Sequence, residues 1–388
     1  MKESSSGRLI IEAVHYLTGS PVIITVEGER IASIKKTSGT VSSGLFVSPG
    51  LIDNQVNGYN GVDFSDESLD EESMMLAVEA LWKEGVTSFL PTVITNSHKS
   101  LIRNFSNLKK ALENDIIIKS IPGFHLEGPY ISPLEGFYGC HPSQHVRKPS
   151  WDEFMEYQKT AGGNIMEVTL APELDGTESF IRLCRKNGVI VAIGHTNASR
   201  EQISAAVEWG ARISTHLGNG CANLIDRHRN PFWPQLANDL LTISVIADGH
   251  HLLPEELKVF YKVKGPGNMI LVSDVTYLTG MPPGKYVYLG SEVVYTDDGL
   301  VRNPALNCLA GASLPLRTGV ENMMRFAGCN LGESLNLVTV NVARVLGLTD
   351  RGVLEPGKRA DLILFELNDS KISVRQTILA GKQVFTSA

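Results

Sequence analysis

The sequence is poor in cysteine, and its few cysteines form no recognisable framework. The five cysteines among 388 residues are Cys140, Cys184, Cys221, Cys308 and Cys329, and no two of them stand in a C-x-x-C pair. An odd number without paired spacing argues against a disulfide framework and against a structural zinc site of the cysteine type. We therefore expect a protein of a reducing compartment, the cytoplasm.

Long apolar runs and an excess of basic residues are also missing. No stretch approaches the roughly 20 apolar residues that span a bilayer, and the polar start, Met1 to Arg8, lacks the pattern of a signal peptide. The formal charge is −7, whereas general nucleic-acid binding needs a basic surface. We expect neither a membrane nor a nucleic acid as partner, although a local basic pocket for one phosphate group is compatible with this charge.

Both ends of the chain have the pattern of short β-strands. Segments rich in Val and Ile alternate with Gly, Pro and Ser turn signals over the first fifty and the last forty residues. An isolated hairpin is only marginally stable, and the termini of a domain often lie close together. We therefore predict one small β-sandwich domain formed by residues 1–48 and 351–388.

Between the ends, residues 49–350 alternate short apolar segments with amphipathic ones. The helix-like segments include 71–83, 200–209 and 254–263, and a run of helices is expected over 314–347. Such alternation indicates parallel strands with crossover helices. About eight strands over this length favour an α/β fold of the (β/α)₈ TIM-barrel type. A doubly wound sheet is the alternative, but no G-x-G-x-x-G follows the first strand.

Polar side chains follow the apolar segments at the points where strands are expected to end. In a barrel these ends open onto one face, where active sites lie. The residues concerned are Asp53, Gln55, Asn57, His125, Glu127, His195, His216, Asp248, His250, His251 and Asp274. A single histidine in such a place is more often structural, and a packing role for His125 stays equally open. The repetition from strand to strand is what predicts a site.

Three of these residues have the chemistry of a catalytic metal site. Glu127, His195 and His216 supply one carboxylate and two imidazoles, and such sites leave a further position for water. A divalent metal lowers the pKa of bound water toward about 7, and Asp274 can pass the water proton to a leaving amine. Because Gln55 and Asn57 are weak ligands, we favour one metal over two. Zinc is our first choice, with iron, manganese or cobalt as alternatives.

The segments around these residues resemble the N-acetylglucosamine-6-phosphate deacetylases of the amidohydrolase superfamily, over about residues 46–366. The motifs are SPGLIDNQVNGYNGVDF at 48–64, HLEGPYISP at 125–133, IGHTNAS at 193–199, THLGNG at 215–220, IADGHH at 246–251, LVSD at 271–274, LAGASL at 309–314 and GVLEPGKRADLILFE at 352–366. The last motif is general to the superfamily. HLEGP, GHTNA and QVNG are more specific, and their order is shared.

The resemblance implies a role for each matching residue. Glu127, His195 and His216 match metal ligands, and Asp274 matches the catalytic acid and base. His141 matches a histidine that contacts the sugar or, in some relatives, a second metal. The residues expected at the substrate are Cys140, His141, Asn219, Gly220, Arg227, His251, Leu309, Ala310 and Gly311. Among them, Asn219 and Arg227 match the residues that hold the 6-phosphate. The resemblance also implies a homodimer.

The resemblance predicts hydrolysis of the N-acetyl group of N-acetylglucosamine 6-phosphate to glucosamine 6-phosphate and acetate, in amino-sugar catabolism. The sequence departs from the family pattern after His216, where Leu217 is followed by Gly-Asn-Gly and a loop, 221–236, of its own composition. A deacetylase of another N-acetylated amino sugar, unphosphorylated or of galactosamine type, is therefore the close alternative. A different amidohydrolase would be expected to carry His-x-His on the first strand, where Gln55 and Asn57 stand. A non-catalytic barrel would have lost the ligands and Asp274.

Overall fold

Eight parallel strands form a barrel at the centre of the molecule. The computed structural model describes residues 2–3, 8–39, 41 and 44–387, so most of the polar start, Met1 to Arg8, lies outside the described residues. The barrel strands are β1 (Leu51–Val56), β2 (Val86–Ile94), β3 (Phe124–Glu127), β4 (Ile165–Leu170), β5 (Ile190–Ile193), β6 (Ile213–Ser214), β7 (Thr242–Ile246) and β8 (Met269–Val272). Each strand pairs with the next in parallel.

The barrel closes between its first and last strands just beyond the end of β8. The backbone N–H of Asp274 donates to the carbonyl of Gln55 at 3.0 Å, and that of Asn57 donates to the carbonyl of Val275 at 2.8 Å. Val56 and Val275 also form a parallel bridge. Buried Val, Ile and Leu dominate the strands, as expected for parallel strands that are covered on both faces. The predicted TIM-type barrel is confirmed.

Helices and short helical turns lie between the strands and after the last of them. The α-helices are Glu71–Lys83, His98–Ala111, Ile117–Ser120, Trp151–Thr160, Thr177–Lys186, Arg200–Trp209, Phe232–Ala237, Pro254–Lys264, Leu316–Asn322, Leu331–Asn336 and Val340–Val345. A 3₁₀ turn spans Ser143–His145, and a π-helical turn spans Met323–Ala327. Asp70 and Ser199 cap the helices that follow them by accepting N–H groups of the first turn. No helix among the described residues is long and apolar enough to cross a membrane.

Strands from both chain ends share one sheet, as predicted. They are Lys2–Glu3, Arg8–His15, Pro21–Glu27, Arg30–Lys36, Phe46–Pro49, Leu362–Asn368, Lys371–Leu379 and Lys382–Thr386. Phe46–Pro49 joins the two halves, because it pairs in parallel with Arg8–His15 and antiparallel with Leu362–Asn368. The terminal β unit is therefore confirmed. The division into residues 1–48, 49–350 and 351–388 stays a prediction.

Gly50 separates two strands, Phe46–Pro49 of the terminal sheet and β1 of the barrel. The run from Phe46 to Ile52 divides into a terminal-sheet strand and β1, and a side chain at Gly50 would come within 2.2 Å of Thr87 Oγ1. As a result, Asp53 and Gln55 lie within β1 rather than after it. Of the three residues only Asn57 directly follows β1, so the prediction that Asp53 and Gln55 stand after a strand is wrong.

A small antiparallel sheet between β8 and the last helices was not predicted. It comprises Gly284–Tyr288, Ser291–Tyr295, Val301–Asn303 and Cys308–Leu309. Leu289 and Gly290 form its first turn with positive φ angles of 52° and 79°, the conformation that a two-residue hairpin loop requires. The strands are short, and much of the first is exposed, so their alternation is weak. This sheet carries Leu309 toward the carboxyl face of the barrel.

Candidate active site

Glu127 stands at the centre of a cluster of three buried histidines at the end of β3. Its Oε1 lies 2.9 Å from Nε2 of His216 and 3.4 Å from Nε2 of His195, and its Oε2 lies 3.8 Å from Nε2 of His141. All four side chains are at least nine-tenths buried. The sequence prediction that Glu127, His195 and His216 converge agrees with this geometry, and His141 joins them from the loop after β3.

Hydrogen bonds to the opposite ring nitrogens fix the orientation of two histidines. Nδ1 of His195 donates to the carbonyl of Phe137 at 2.9 Å, which turns its Nε2 toward Glu127. Nδ1 of His141 pairs with Thr95 Oγ1 at 2.8 Å. A hydrogen bond at one ring nitrogen is the usual device for holding the other as a metal ligand. Nδ1 of His216 is buried with no hydrogen-bond partner.

The donor set fits a divalent metal ion. Glu127, His141 and His195 each place one ligand atom within 4.8 Å of the others, and His216 reaches the same carboxylate. One carboxylate with two or three imidazoles is the ligand chemistry of catalytic metal centres. The geometry brings four donors together where the sequence predicted three. It does not choose between His141 and His216 as the third ligand.

Asp274 is bound by two side-chain amides beside this cluster. Nδ2 of Asn57 donates to Asp274 Oδ1 at 2.8 Å, and Nε2 of Gln55 donates to the same atom at 3.1 Å. The Gln55 amide also reaches Glu127 Oε1, at 3.0 Å. Gln55 and Asn57 therefore act here as donors that connect and orient two carboxylates. This arrangement agrees with the argument that they are poor metal ligands.

Three site residues share an uncommon backbone conformation. His195, His216 and Asp274 have φ angles of 49°, 28° and 52°, and each stands two residues beyond the end of its barrel strand. Positive φ is rare for residues other than glycine, costs about 1–3 kcal/mol, and clusters at functional sites. The left-handed residue turns the chain at the strand end, and its side chain is held at the carboxyl face.

Burial and mutual charge set the protonation of the cluster. Burial alone would raise the pKa of Glu127, but the hydrogen bonds from His195 and His216 lower it well below its usual range. Burial and the neighbouring His195 lower the pKa of His141 to about 3. Burial and the charge of Glu127 raise the pKa of Asp274 to about 6. An ionised Glu127 beside a neutral His141 is the state in which both can ligate a metal.

A cleft of about 300 Å³ opens above these residues, within the usual range for a small-molecule site. Most of the predicted substrate residues line it, namely Cys140, His141, Asn219, Gly220, His251, Leu309, Ala310 and Gly311. Gly220 matters for its lack of a side chain, because a Cβ there would lie 2.8 Å from Nδ1 of His195. The sequence did not identify Tyr288, Leu289 and Cys308 as further lining residues, since they belong to the unpredicted small sheet.

Arg227 does not line the cleft. It lies on the exposed segment before Asn230 and is not among the lining residues, and its carbonyl accepts a hydrogen bond from Trp233 Nε1. Its role at a phosphate group stays a prediction. Asn219, the other residue assigned to the phosphate, does line the cleft, and its Nδ2 is buried without a partner.

His251 is held by Asp248, three residues before it. Oδ2 of Asp248 accepts a hydrogen bond of 2.7 Å from Nδ1 of His251, while its Oδ1 accepts the backbone N–H groups of His250 and His251. These contacts lower the pKa of the Asp248 carboxyl despite its burial. His250 turns elsewhere and bonds to the carbonyl of Asp298. Of the two adjacent histidines, His251 is therefore the one at the cleft.

The barrel, its buried carboxylate–imidazole cluster and the adjacent acid define an enzyme of the hydrolase class built on a (β/α)₈ barrel. A family model described as the amidohydrolase family matches residues 46–384. The chain belongs to the amidohydrolase family and is a hydrolase that acts on an amide.

Characterised relatives cover most of the chain. An N-acetylglucosamine-6-phosphate deacetylase of Bacillus subtilis (strain 168) is 34% identical over 343 residues, which are 87% of this chain and 84% of the relative. One from Bos taurus is 33% identical over 387 residues, covering 94% and 88%. The chain is therefore similar to bacterial and animal enzymes along nearly its full length.

Solved structures show the same architecture. An N-acetyl-D-glucosamine-6-phosphate deacetylase mutant from Mycobacterium smegmatis, in complex with N-acetyl-D-glucosamine-6-phosphate, has a TM-score of 0.88 at 26% identity and covers 98% of this chain and 100% of that chain. The N-acetylglucosamine-6-phosphate deacetylase from Thermotoga maritima has a TM-score of 0.87 at 29% identity, with the same coverage. Both structures therefore share the fold of this chain over nearly its whole length.

Proposed function

We propose that the enzyme hydrolyses the N-acetyl group of N-acetylglucosamine 6-phosphate to glucosamine 6-phosphate and acetate, in amino-sugar catabolism. The observation that carries this proposal is the position of Asp274 Oδ1, fixed by Asn57 and Gln55 beside the Glu127 carboxylate. A carboxyl group that takes a proton from the hydrolytic water and gives it to the leaving amine has to lie beside the group that holds the water. The similarity to N-acetylglucosamine-6-phosphate deacetylases over 87% of the chain supports the choice of substrate.

In the proposed reaction Asp274 moves one proton. Water adds to the acetyl carbonyl carbon, the carbon–nitrogen bond breaks, and Asp274 transfers the water proton to the departing nitrogen. The donors Asn57 and Gln55 hold Oδ1, so Oδ2 is the oxygen available for this transfer. His251, oriented by Asp248, binds the substrate from the β7 side of the cleft.

We propose one divalent metal ion, zinc, held by Glu127, His195 and His216. When bound, it supplies acidification of water and polarisation of the acetyl carbonyl. The distances of 2.9 Å and 3.4 Å from Glu127 Oε1 to Nε2 of His216 and of His195 support this set. His141 either binds the sugar or provides a further nitrogen ligand, and metal analysis of His141→Ala separates the two. Unchanged metal content with a raised KM would assign His141 to the sugar.

The close alternative is an unphosphorylated N-acetylated amino sugar as substrate. The exposed position of Arg227, away from the cleft lining, is the observation that favours it. Acetate release by the metal-loaded enzyme from N-acetylglucosamine 6-phosphate and from N-acetylglucosamine decides between the two. A preference for the plain sugar would replace the first proposal with the second.

We further propose a cytoplasmic homodimer that binds neither nucleic acid nor membrane. The odd number of cysteines without paired spacing supports a reducing compartment, and the charge of −7 supports the absence of nucleic acid. Light scattering on the purified protein tests the assembly, because a dimer gives twice the mass of the chain. A mass equal to one chain would overturn the dimer and leave the chemistry of the site intact.

A further inference from the structure

Two cysteines from distant parts of the chain meet at the wall of the cleft. Sγ of Cys140 lies 2.7 Å from Sγ of Cys308, and it lies 3.1 Å from the carbonyl oxygen of Leu309. A disulfide bond is about 2.05 Å long, so the two sulfurs need to approach only slightly further to form one. Both residues are partly buried and line the cleft, so a small molecule can reach them.

The other three cysteines lack this arrangement. Cys184 and Cys329 are buried, and within the described chain neither of them contacts another sulfur. Cys221 also lines the cleft, but its nearest recorded polar contact is the carbonyl of Gly218 at 3.7 Å. The reactive geometry is therefore specific to one pair of thiols among the five.

The pair connects the two segments that form this side of the site. Cys140 directly precedes His141, whose Nε2 faces Glu127. Cys308 directly precedes Leu309, Ala310 and Gly311, which line the cleft. Cys140 lies in the loop after β3, whereas Cys308 lies in the small sheet after β8. A covalent bond here would fix the two segments to each other across 168 residues of sequence.

We propose that Cys140 and Cys308 form a redox-active dithiol, which a low-molecular-weight disulfide converts to an intramolecular disulfide that reversibly restrains the cleft. This inference goes beyond the proposed deacetylation, since the formation of the bond does not depend on which amide the site cleaves. The required oxidant is a disulfide of the glutathione class.

The exchange proceeds in two balanced steps. The thiolate of Cys308 attacks one sulfur of the oxidant, and the sulfur–sulfur bond of the oxidant breaks. One small thiolate departs, and Cys308 is left in a mixed disulfide with the other half of the oxidant. The sulfur of Cys140 then attacks Cys308 Sγ, and the second small thiol departs with the Cys140 proton. Two protein thiols are oxidised and one small disulfide is reduced to two thiols. The hydrogen bond from Cys140 lowers the pKa of Cys308, which favours Cys308 as the first nucleophile.

The bond is expected to slow turnover by restraining the cleft wall. Movement of loops around a bound ligand sets the rate of product release in many enzymes. With the loop of His141 tied to the segment of Leu309, we expect kcat to fall by about tenfold. Addition of dithiothreitol should restore the original rate, because the bond is an ordinary exchangeable disulfide.

Peptide mapping tests the pairing. The metal-loaded enzyme is reduced, freed of reductant, incubated with glutathione disulfide, alkylated and digested. The expected product is a cross-linked peptide that contains Cys140 and Cys308, absent after dithiothreitol. Alkylation of both residues after this treatment would overturn the proposal.

Two variants separate the restraint from other oxidation effects. Cys308→Ser should stop at a mixed disulfide on Cys140 or not react, and its rate should show no tenfold, thiol-reversible loss. Cys221→Ser, which removes the third thiol of the cleft, should respond to the oxidant as the unmodified protein does. A mapped Cys140–Cys308 bond with an unchanged kcat would refute the restraint of the cleft, and an equal loss in Cys308→Ser would assign the inhibition elsewhere.

Discussion

Asn57 Nδ2 donates a hydrogen bond of 2.8 Å to Asp274 Oδ1, across the seam where the barrel closes between its first and last strands. The same oxygen accepts from Gln55. Two donors on one carboxylate oxygen favour the ionised form and fix the direction of the other oxygen. The pair Asn57–Asp274 therefore couples barrel closure to the position of the proposed acid and base.

Replacing Asn57 by alanine should move the acid limb of the pH–rate profile upward. Burial raises the pKa of Asp274 to about 6, and the Asn57 hydrogen bond opposes this rise. The base has to be ionised, so activity is lost as the pH falls through this pKa, and removal of the donor raises the pKa further. A hydrogen bond to a charged group is worth about 1.5–3 kcal/mol, so we expect a shift of about one to two pH units. An unchanged acid limb in kcat/KM would remove Asn57 from this role.

Asp274→Asn should abolish turnover without loss of metal. The amide keeps the size of the side chain but cannot accept the water proton, and general acid–base catalysis contributes about 10²–10⁴-fold. We expect kcat to fall within this range while the metal content stays at that of the parent protein. Loss of metal together with activity would show that Asp274 is a ligand instead.

Glu127→Gln should lose the metal, whereas His125→Ala should keep it. Glu127 carries the negative charge that the three histidines surround, and an amide is a far weaker ligand. His125, two residues earlier on the same strand, bonds instead to Thr169 Oγ1 at 2.8 Å within the barrel. We expect the His125 variant to melt at a lower temperature with its metal retained. Equal metal loss in both proteins would place His125 in the ligand set.

Asp248→Ala should raise KM more than it lowers kcat. Asp248 fixes the ring of His251 and two backbone amides of the β7 loop, and His251 is the residue expected at the substrate. A hydrogen bond to a charged group contributes about 1.5–3 kcal/mol. Loss of this contribution to holding His251 corresponds to an increase of about tenfold or more in KM. The His251→Ala change and the double change should then be nearly equivalent, since the two residues act as a unit. Additive effects would separate them.

Arg227→Ala tests the recognition of phosphate from an exposed residue. If the guanidinium binds the 6-phosphate in the complex, the variant should lose about 10²-fold in kcat/KM on the phosphorylated sugar, a loss typical of a charge-assisted contact. Its rate on N-acetylglucosamine should hardly change. The neighbouring Arg229→Ala is the matched control on the same segment. Equal losses on both sugars would eliminate the phosphate contact.

Much of the fold was readable from the sequence because its signals are local. The predicted helices 71–83 and 200–209 agree with the structure to the residue, and Asp70 and Ser199 cap their first turns. The convergence of Glu127, His195, His216 and Asp274 followed from one rule, that strands of a barrel end at a common face. The break between Phe46–Pro49 and β1 falls at Pro49-Gly50, a turn signal in the sequence, whereas the close approach of Thr87 to Gly50 comes from another strand.

The remaining features depend on contacts between distant segments. The approach of His141 to Glu127 requires the loop after β3 to fold back over the barrel, and the meeting of Cys140 with Cys308 requires the unpredicted small sheet. The resemblance already named His251 as the substrate-contacting histidine, and the structure adds the hydrogen bond from His251 to Asp248 and the different partner of His250. Motif order predicted a set of metal ligands, and tertiary packing determines which side chains surround them.

The most direct test of the account is acetate release from N-acetylglucosamine 6-phosphate, measured beside N-acetylglucosamine, with metal bound and after its removal by a chelator. The account predicts release from the phosphorylated sugar, loss of activity with the chelator, and recovery when zinc is added back. Release from the plain sugar alone would contradict the proposed substrate, and release that survives complete removal of the metal would contradict the proposed chemistry of the Glu127 cluster.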